Sequence, residues 1–202
     1  MKSGGLKRTA DCVLAAGGIA LLLPVWAGAA AVCALSGEGV IYRQERIGRD
    51  GKPFFVCKFR TMRKEAPVLP REALAEPERY YIPGGAFLRS TGIDELPQLW
   101  NVLRGEMSLI GPRPLIAGEG GIHRMRQRAG VYVLRPGITG LSQLCGDPPP
   151  RMKTEIDRLY LENVSPAMDG AVVLGTVFLL VNRQKEKAKI TAAKIAKFLR
   201  NF

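Results

Sequence analysis

Apolar residues are spread unevenly along this chain. Residues 12–35 carry no charged side chain. A bilayer core about 30 Å thick needs roughly 20 helical residues, so this stretch is long enough to cross one. Lys2, Lys7 and Arg8 precede it, and Arg43, Arg46, Arg49, Lys52 and Lys58 follow. Basic flanks favour the cytoplasmic side, and here both flanks are basic. Pro24 in the middle removes a backbone hydrogen bond and forces a kink, and Gly17, Gly18 and Gly28 loosen the segment further. A bent helix that enters and leaves by one face suits both flanks. A straight span with a proline kink is equally compatible with these residues. A secretory signal peptide has a shorter apolar part, and Ser36-Gly37-Glu38 starts no obvious secreted domain.

The next segments alternate. Val40–Arg46 and Phe54–Met62 read as strands, joined by the turn residues Ile47–Pro53, and together predict a hairpin with Lys58 and Arg60 on one face. Lys64–Pro83 is rich in Glu, Pro and Arg and reads as a surface loop or short helix. Leu96, Leu99, Trp100 and Leu103 recur at helical spacing and predict a half-buried helix starting near Asp94, with Pro97 in its first turn. Asp157–Asn163 reads as helical. Ala171–Val181 is apolar but too short to span alone, and suits a buried or interfacial helix. Lys185–Phe202 is a basic amphipathic tail, fit either for an anionic membrane surface or for packing on the domain.

Composition narrows the chemistry. The chain has 202 residues and a formal net charge of +12, which calls for an anionic partner: nucleic acid, acidic lipid or a phosphorylated small molecule. Cys12, Cys33, Cys57 and Cys145 are scattered, and His123 is the single histidine. That pattern argues against a structural zinc site and for a reducing, cytoplasmic environment.

The candidate chemistry lies in Arg89-Ser90-Thr91-Gly92-Ile93-Asp94-Glu95 and in Gly111-Pro112-Arg113-Pro114. Two acids at a helix start sit at the positive end of its dipole. Thr91-x-x-Asp94 also fits a capping box, a purely structural use of the same residues. Arg89 and Arg113 add guanidinium forks that match phosphate oxygens. Arg135-Pro136-Gly137-Ile138-Thr139-Gly140 repeats that logic: Gly140 permits close backbone approach, and Thr139 and Gln143 offer neutral hydrogen bonds. It is neither a P-loop nor a Rossmann fingerprint, and a tight Pro-Gly turn into a strand is the plain alternative.

Taken in order, these motifs resemble the bacterial sugar transferases, the small monotopic phosphoglycosyl transferases that act on polyprenyl phosphate. The resemblance runs from Lys7-Arg8-x-x-Asp11 and Pro24 through Lys58-Phe59-Arg60-Thr61-Met62, Asp94–Leu99 and Asn101-Val102-Leu103, to Gly111–Pro114 and Arg135–Gly140. It implies an α/β, mostly helical, membrane-associated domain with an amino-terminal re-entrant membrane helix broken at Pro24 and amphipathic interfacial helices. The implied division is residues 1–36 for the membrane helix, 37–182 for the catalytic domain and 183–202 for the tail. The implied reaction moves a sugar-1-phosphate from a UDP-sugar to polyprenyl (undecaprenyl) phosphate and releases UMP, at the cytoplasmic face of the bacterial inner membrane, where anionic lipid and downstream glycosyltransferases are the other partners. Asp94 would be the nucleophile and Glu95 its acid/base or metal-binding partner, with Mg²⁺ on Asp94 and Glu95. Arg89, Arg113 and Arg135 would neutralise phosphate, and Lys58, Thr61, Pro112, Thr139 and Gln143 would wall the pocket. Two departures stand out: Leu23 replaces the serine that relatives place before Pro24, and Leu144–Pro150 replaces a Gly-Arg-Asn, leaving Arg151 as the nearby arginine. Two rival readings are weaker. A nucleic-acid-binding protein leaves the apolar segment unexplained and lacks a binding motif or aromatic platform. A non-catalytic scaffold leaves Asp94-Glu95 without a role.

Overall fold

In the computed structural model, residues 4–67, 76–146 and 148–181 are described. The apolar amino-terminal segment forms two helices, α1 (Gly4–Leu21) and α2 (Leu23–Leu35), bent by 67° where they meet. Pro24 sits in the first turn of α2, where its missing N–H costs least. The backbone ladder runs on to Leu22 N–H, which donates to Gly18 O, and resumes at Trp26 N–H, which donates to Leu22 O. No side chain caps the start of α2, consistent with Leu23 in place of a hydroxyl residue. Among the described residues no single helix is long and apolar enough to cross a membrane, while this bent pair meets the length and composition together.

The hairpin forms as expected: β1 (Ile41–Ile47) pairs antiparallel with β2 (Pro53–Phe59), with Tyr42 opposite Lys58. β2 is shorter than the alternation predicts, because Thr61 turns away to hold the next segment: its carbonyl accepts from Ile82 N–H. Of Lys64–Pro83, the part described contains a 3-10 turn at Pro77–Tyr80. Next comes α3 (Gly85–Thr91), which the sequence pattern did not reveal. A Cβ at Gly85 would lie 2.3 Å from the Thr61 carbonyl, so only glycine lets α3 start against that strand end.

The helix expected near Asp94 begins later, as α4 (Gln98–Arg104) with Pro97 at its cap, and Ile93–Glu95 forms a separate 3-10 turn. The capping box does not form. Thr91 Oγ1 bonds back to the carbonyls of Phe87 and Leu88 and ends α3. The burial of α4 also differs from the apolar stripe: Gln98, Asn101 and Val102 are buried, while Trp100 faces outward. Asn101 explains why a polar residue is inside. Its side chain accepts from Cys57 N–H and donates to Phe55 O, which satisfies the free edge of β2.

β3 (Ser108–Ile110) and β4 (Gly137–Thr139) pair in parallel, joined through α5 (Gly120–Arg128). The rest is helical: α6 (Leu141–Leu144), α7 (Pro150–Glu162) and α8 (Pro166–Val181). Both α7 and α8 start earlier than the apolar pattern suggested, each with a proline in its first turn. They close a core of Ile110, Leu141, Ile156, Tyr160, Met168 and Val172. A second core joins α2 to β2 and α3 through Ala29, Cys33, Phe59, Ile82 and Leu88. The described residues are mostly helical with two small sheets, as expected. The basic tail lies outside the described residues.

Large apolar side chains remain exposed on α1, α2 and α8, among them Leu14, Leu21, Leu35, Leu174 and Phe178, joined by Phe87 and Trp100. Yet α1 is fixed to the domain by charged residues. Lys7 Nζ meets Asp169 at 2.7 Å. Arg8 donates to the carbonyls of Val102 and Leu103 at the end of α4. Asp11, nearly fully buried, accepts from Ser108 Oγ at 2.7 Å and from Leu109 N–H. Removing that carboxylate strands the Leu109 N–H and leaves Ser108 Oγ only the Ile110 carbonyl. Asp11→Ala is expected to destabilise the fold by about 2 kcal/mol or more, read as a lower thermal midpoint of the full chain in detergent. Val13→Ala, on the exposed face of α1, should leave that midpoint unchanged.

Candidate active site

Three elements converge on the acidic pair. Gly92, in the left-handed region at φ 75°, ends α3 and reverses the chain, so that Asp94 and Glu95 follow Arg89 directly in space. Arg89 is held by the ring of Tyr81 and by Met62 Sδ. From β2, Lys58 Nζ reaches Glu95 Oε1 at 2.5 Å. The Asn101 bonds to β2 keep strand and dyad in register.

The two acids are in opposite electrostatic states. Asp94 is buried, and loss of solvent raises its pKa; the Glu95 charge adds to this, while Lys58 and Arg89 only partly offset it. For Glu95 burial also pushes upward, but the ammonium of Lys58, with Arg113 and Arg89 beyond, outweighs it and holds the pKa below the ordinary value. Neighbouring carboxyls driven apart in this way mark separate chemical roles.

A shallow, open cleft lies beside Glu95. Lys58, Gln98, Gln143 and Arg113 line it, together with Arg46, which the sequence reading did not single out. Arg46 comes from the end of β1, donates to Gln44 Oε1 at 2.6 Å, and lies close enough to Arg113 and Glu119 to feel both charges. Its pKa is lowered, first by burial and then by Arg113. The charged groups lining the cleft are three cations and one acid, so the cleft favours an anion.

Arg113 is placed by its backbone. A Cβ at Gly140 would lie 2.0 Å from the Gly111 carbonyl and one at Gly137 2.1 Å from Gly111 N, so the two proline-bearing loops lie in direct backbone contact. Gly137 N–H donates to Pro112 O, and buried Arg126 donates to Arg113 O at 2.7 Å while pairing with buried Asp157. The Arg113 side chain itself is exposed at the cleft.

Of the residues expected here, Asp94, Glu95, Lys58, Arg89, Arg113 and Gln143 come together. Gln143 donates to Ile138 O and leaves its Oε1 without a partner among the described residues. Pro112 lines an adjoining cleft instead. Thr61 is buried behind β2, and Thr139 bonds Thr176 of α8, so neither lines the wall. Arg135 points elsewhere: its Nε donates to Gly105 O, and its charged neighbours are Arg49, Arg8 and Asp11. The structure does not bring Arg135 to the cleft beside the dyad. Arg46 was legible only as part of a basic flank; its place at the end of a strand carried no further signal.

Among the described residues no group of three or more His, Cys, Asp or Glu gathers as a metal site. Asp94 and Glu95 are adjacent carboxylates, the donor class that Mg²⁺ takes with substrate phosphates supplying other oxygens.

The chain also matches known proteins. Residues 2–183 match the family described as bacterial sugar transferase. The chain belongs to that family. It is 40% identical to the UDP-glucose:undecaprenyl-phosphate glucose-1-phosphate transferase of Escherichia coli (strain K12), over 86% of this chain and 39% of that one. It is 37% identical to the UDP-galactose-lipid carrier transferase of Erwinia amylovora, over 88% and 41%. It is 35% identical to the exopolysaccharide production protein PSS of Rhizobium leguminosarum bv. phaseoli, over 89% and 97%. The chain thus spans about two-fifths of the length of the first two relatives and nearly all of the third.

The opposed acids make a stability prediction. A carboxyl whose folded pKa is raised costs stability once pH exceeds its unfolded value, about 3.9 for Asp. Asp94→Asn should therefore unfold at higher denaturant than the native chain at pH 7, with the gain shrinking as pH falls below the raised folded value and gone below about pH 4. Glu95, held low, contributes stability above its unfolded value that is lost as pH falls through its folded one, so Glu95→Gln should be less stable at pH 7. Denaturation of both variants at pH 7 and pH 4 checks the two signs.

Proposed function

We propose that this chain is a phosphoglycosyl transferase that moves a sugar-1-phosphate from a UDP-sugar to polyprenyl phosphate, the first membrane step of glycan assembly. The observation that carries this is the pairing of a desolvated Asp94 with an ionised Glu95 beside a cationic cleft. An Asp94 oxygen attacks the β-phosphorus of the donor. The bond from that phosphorus to the bridging oxygen breaks, and UMP leaves with the electron pair. The sugar phosphate stays on Asp94 as an acyl phosphate. An oxygen of polyprenyl phosphate then attacks the same phosphorus and frees the carboxylate. This is covalent catalysis with two displacements.

Burial suits Asp94 to the role, because a poorly solvated carboxylate has little water to shed before attack. Lys58 keeps Glu95 ionised and in place. Arg113, with Arg89 behind the dyad, faces the negative charge of the donor diphosphate. A magnesium ion on Asp94 and Glu95 would supply further neutralisation of that charge. The bent α1–α2 pair, the exposed apolar residues of α8, and Phe87 and Trp100 support a monotopic seat in the inner membrane, both ends of the pair cytoplasmic. α2 packs against the dyad turn through Ile93 and Leu96, which would set the site at the level of lipid phosphates.

Two experiments test this reading. Incubated with UDP-sugars, the native chain should release UMP and gain the mass of one phosphosugar with a matching donor; Asp94→Asn should do neither. Undiminished UMP release by Asp94→Asn would remove Asp94 as nucleophile. For topology, single cysteines at Lys2 and Arg43, in a background without the native cysteines, should both resist an impermeant maleimide in intact cells and react after lysis. Labelling of Lys2→Cys from outside would establish a true span.

A further inference from the structure

Of the three arginines expected to meet phosphate, Arg135 is the one turned away from the cleft. Its Nε donates to Gly105 O at 2.8 Å. Gly105 ends α4 in the left-handed region, at φ 82°, where carbonyls lack a partner within the helix. Arg8 takes the neighbouring carbonyls of Val102 and Leu103. The end of α4 is thus held by two arginines from remote parts of the chain.

The backbone of Arg135 lies against the loop that carries Arg113. A Cβ at Gly111 would lie 2.4 Å from Arg135 O. Ser108 N–H donates to Pro136 O, Gly137 N–H to Pro112 O, and Gly111 N–H to Thr139 O. These bonds tie residues 108–112 to residues 136–139 as one unit. The other unit is α4. It begins just after the acidic pair, places Gln98 in the cleft, and through Asn101 holds the strand that bears Lys58. The Arg135–Gly105 bond joins the two units, and so bears on where Arg113 stands relative to Asp94 and Glu95.

The bond uses an N–H and not a charge. Among the described residues Arg135 forms no ion pair. Its charged neighbours include two further cations, Arg49 and Arg8, and the acid among them, Asp11, already accepts from Ser108 and Leu109. Positive charge is unfavourable there, whereas a donor at that reach closes an orphan carbonyl.

Resting on the phosphoglycosyl transferase reading, we propose that Arg135 is a positioning residue for Arg113, acting through its Nε–H on Gly105 and not by meeting phosphate.

The kinetics of UMP release by the full chain in detergent test this, because Gln and Lys separate the two properties of arginine. Gln carries an N–H donor as many bonds from Cα as Nε, without charge. Lys keeps the charge and places its donor one atom further out. Met keeps the length and has neither. Arg135→Met should lower donor kcat/KM by about tenfold or more, the scale on which small misplacements of reacting groups act. Arg135→Gln should stay near native, with Arg135→Lys below it. In an Arg113→Lys background Arg135→Met should add little further loss, since its effect runs through that guanidinium. Arg135→Lys at or above Arg135→Gln makes charge the property that matters and overturns the proposal. So does a loss from Arg135→Met that is undiminished in the Arg113→Lys background. Should Arg135→Met fail to fold, the order of the Gln and Lys variants decides alone. A native chain that releases UMP from no UDP-sugar sinks the enzymatic reading itself, whereas normal native turnover with the reversed order sinks only the role given to Arg135.

Discussion

The anchoring of α1 by Lys7, Arg8 and Asp11 is the constraint on which the rest of the structure depends. An apolar helix gains little from side-chain packing if lipid covers it, because lipid and protein interior are similar solvents for a leucine. Here Ala15 is buried with Val56, Val102 and Met107, and directional contacts add to that packing. Arg8 takes the orphan carbonyls at the end of α4, the negative end of that helix. Asp11 takes Ser108 and Leu109 at the start of β3. One turn of α1 therefore sets α4, which carries Asn101 and the β2 edge, and also β3, which leads into the Gly111–Pro114 loop. The acidic pair and Arg113 come from different loops, and this contact makes their separation a property of a single helix face.

Arg113 shows how the second loop is then fixed. A buried ion pair such as Arg126–Asp157 is a weak source of net stability, since desolvation offsets most of its attraction. Its value here is directional. The Asp157 carboxylate fixes one end of the guanidinium so that the other meets the Arg113 carbonyl. Gly137 and Gly140 let that backbone lie against the next loop with no side chain between. The exposed guanidinium of Arg113 thus rides on a rigid base, which is what bidentate recognition of phosphate requires.

Much of this was legible in the sequence, and the misses have physical causes. The helix break followed from Pro24 and the hairpin from strand alternation around turn residues. The dyad and Lys58 were marked by local motifs. Arg46 was missed because only the tertiary position of a strand end brings it to Arg113. Arg135 was over-read for the same reason: an arginine beside Pro-Gly has reach, but its direction depends on Gly105 and on Arg8, far away in sequence. The capping box failed because Thr91 already belonged to α3, a helix of seven residues too short to show a period. The polar burial of Gln98 and Asn101 was hidden because a period counts apolar residues and cannot see a side chain spent on a neighbouring strand.

The opposed states of Asp94 and Glu95 tie the site to the bent helix pair. Asp94 is kept from water by the same layer that joins α2, Phe59 and Leu88 to Ile93 and Leu96. Glu95, one residue on, turns to the open cleft and to Lys58. A 3-10 turn achieves this because successive side chains are about 120° apart, so adjacent acids face different surroundings. In a regular α-helix start the two would flank one terminus and share its field and solvent more evenly. The two adjacent carboxyls are unequal through their surroundings: burial dominates at Asp94, and the Lys58 ammonium at the anion cleft outweighs burial at Glu95.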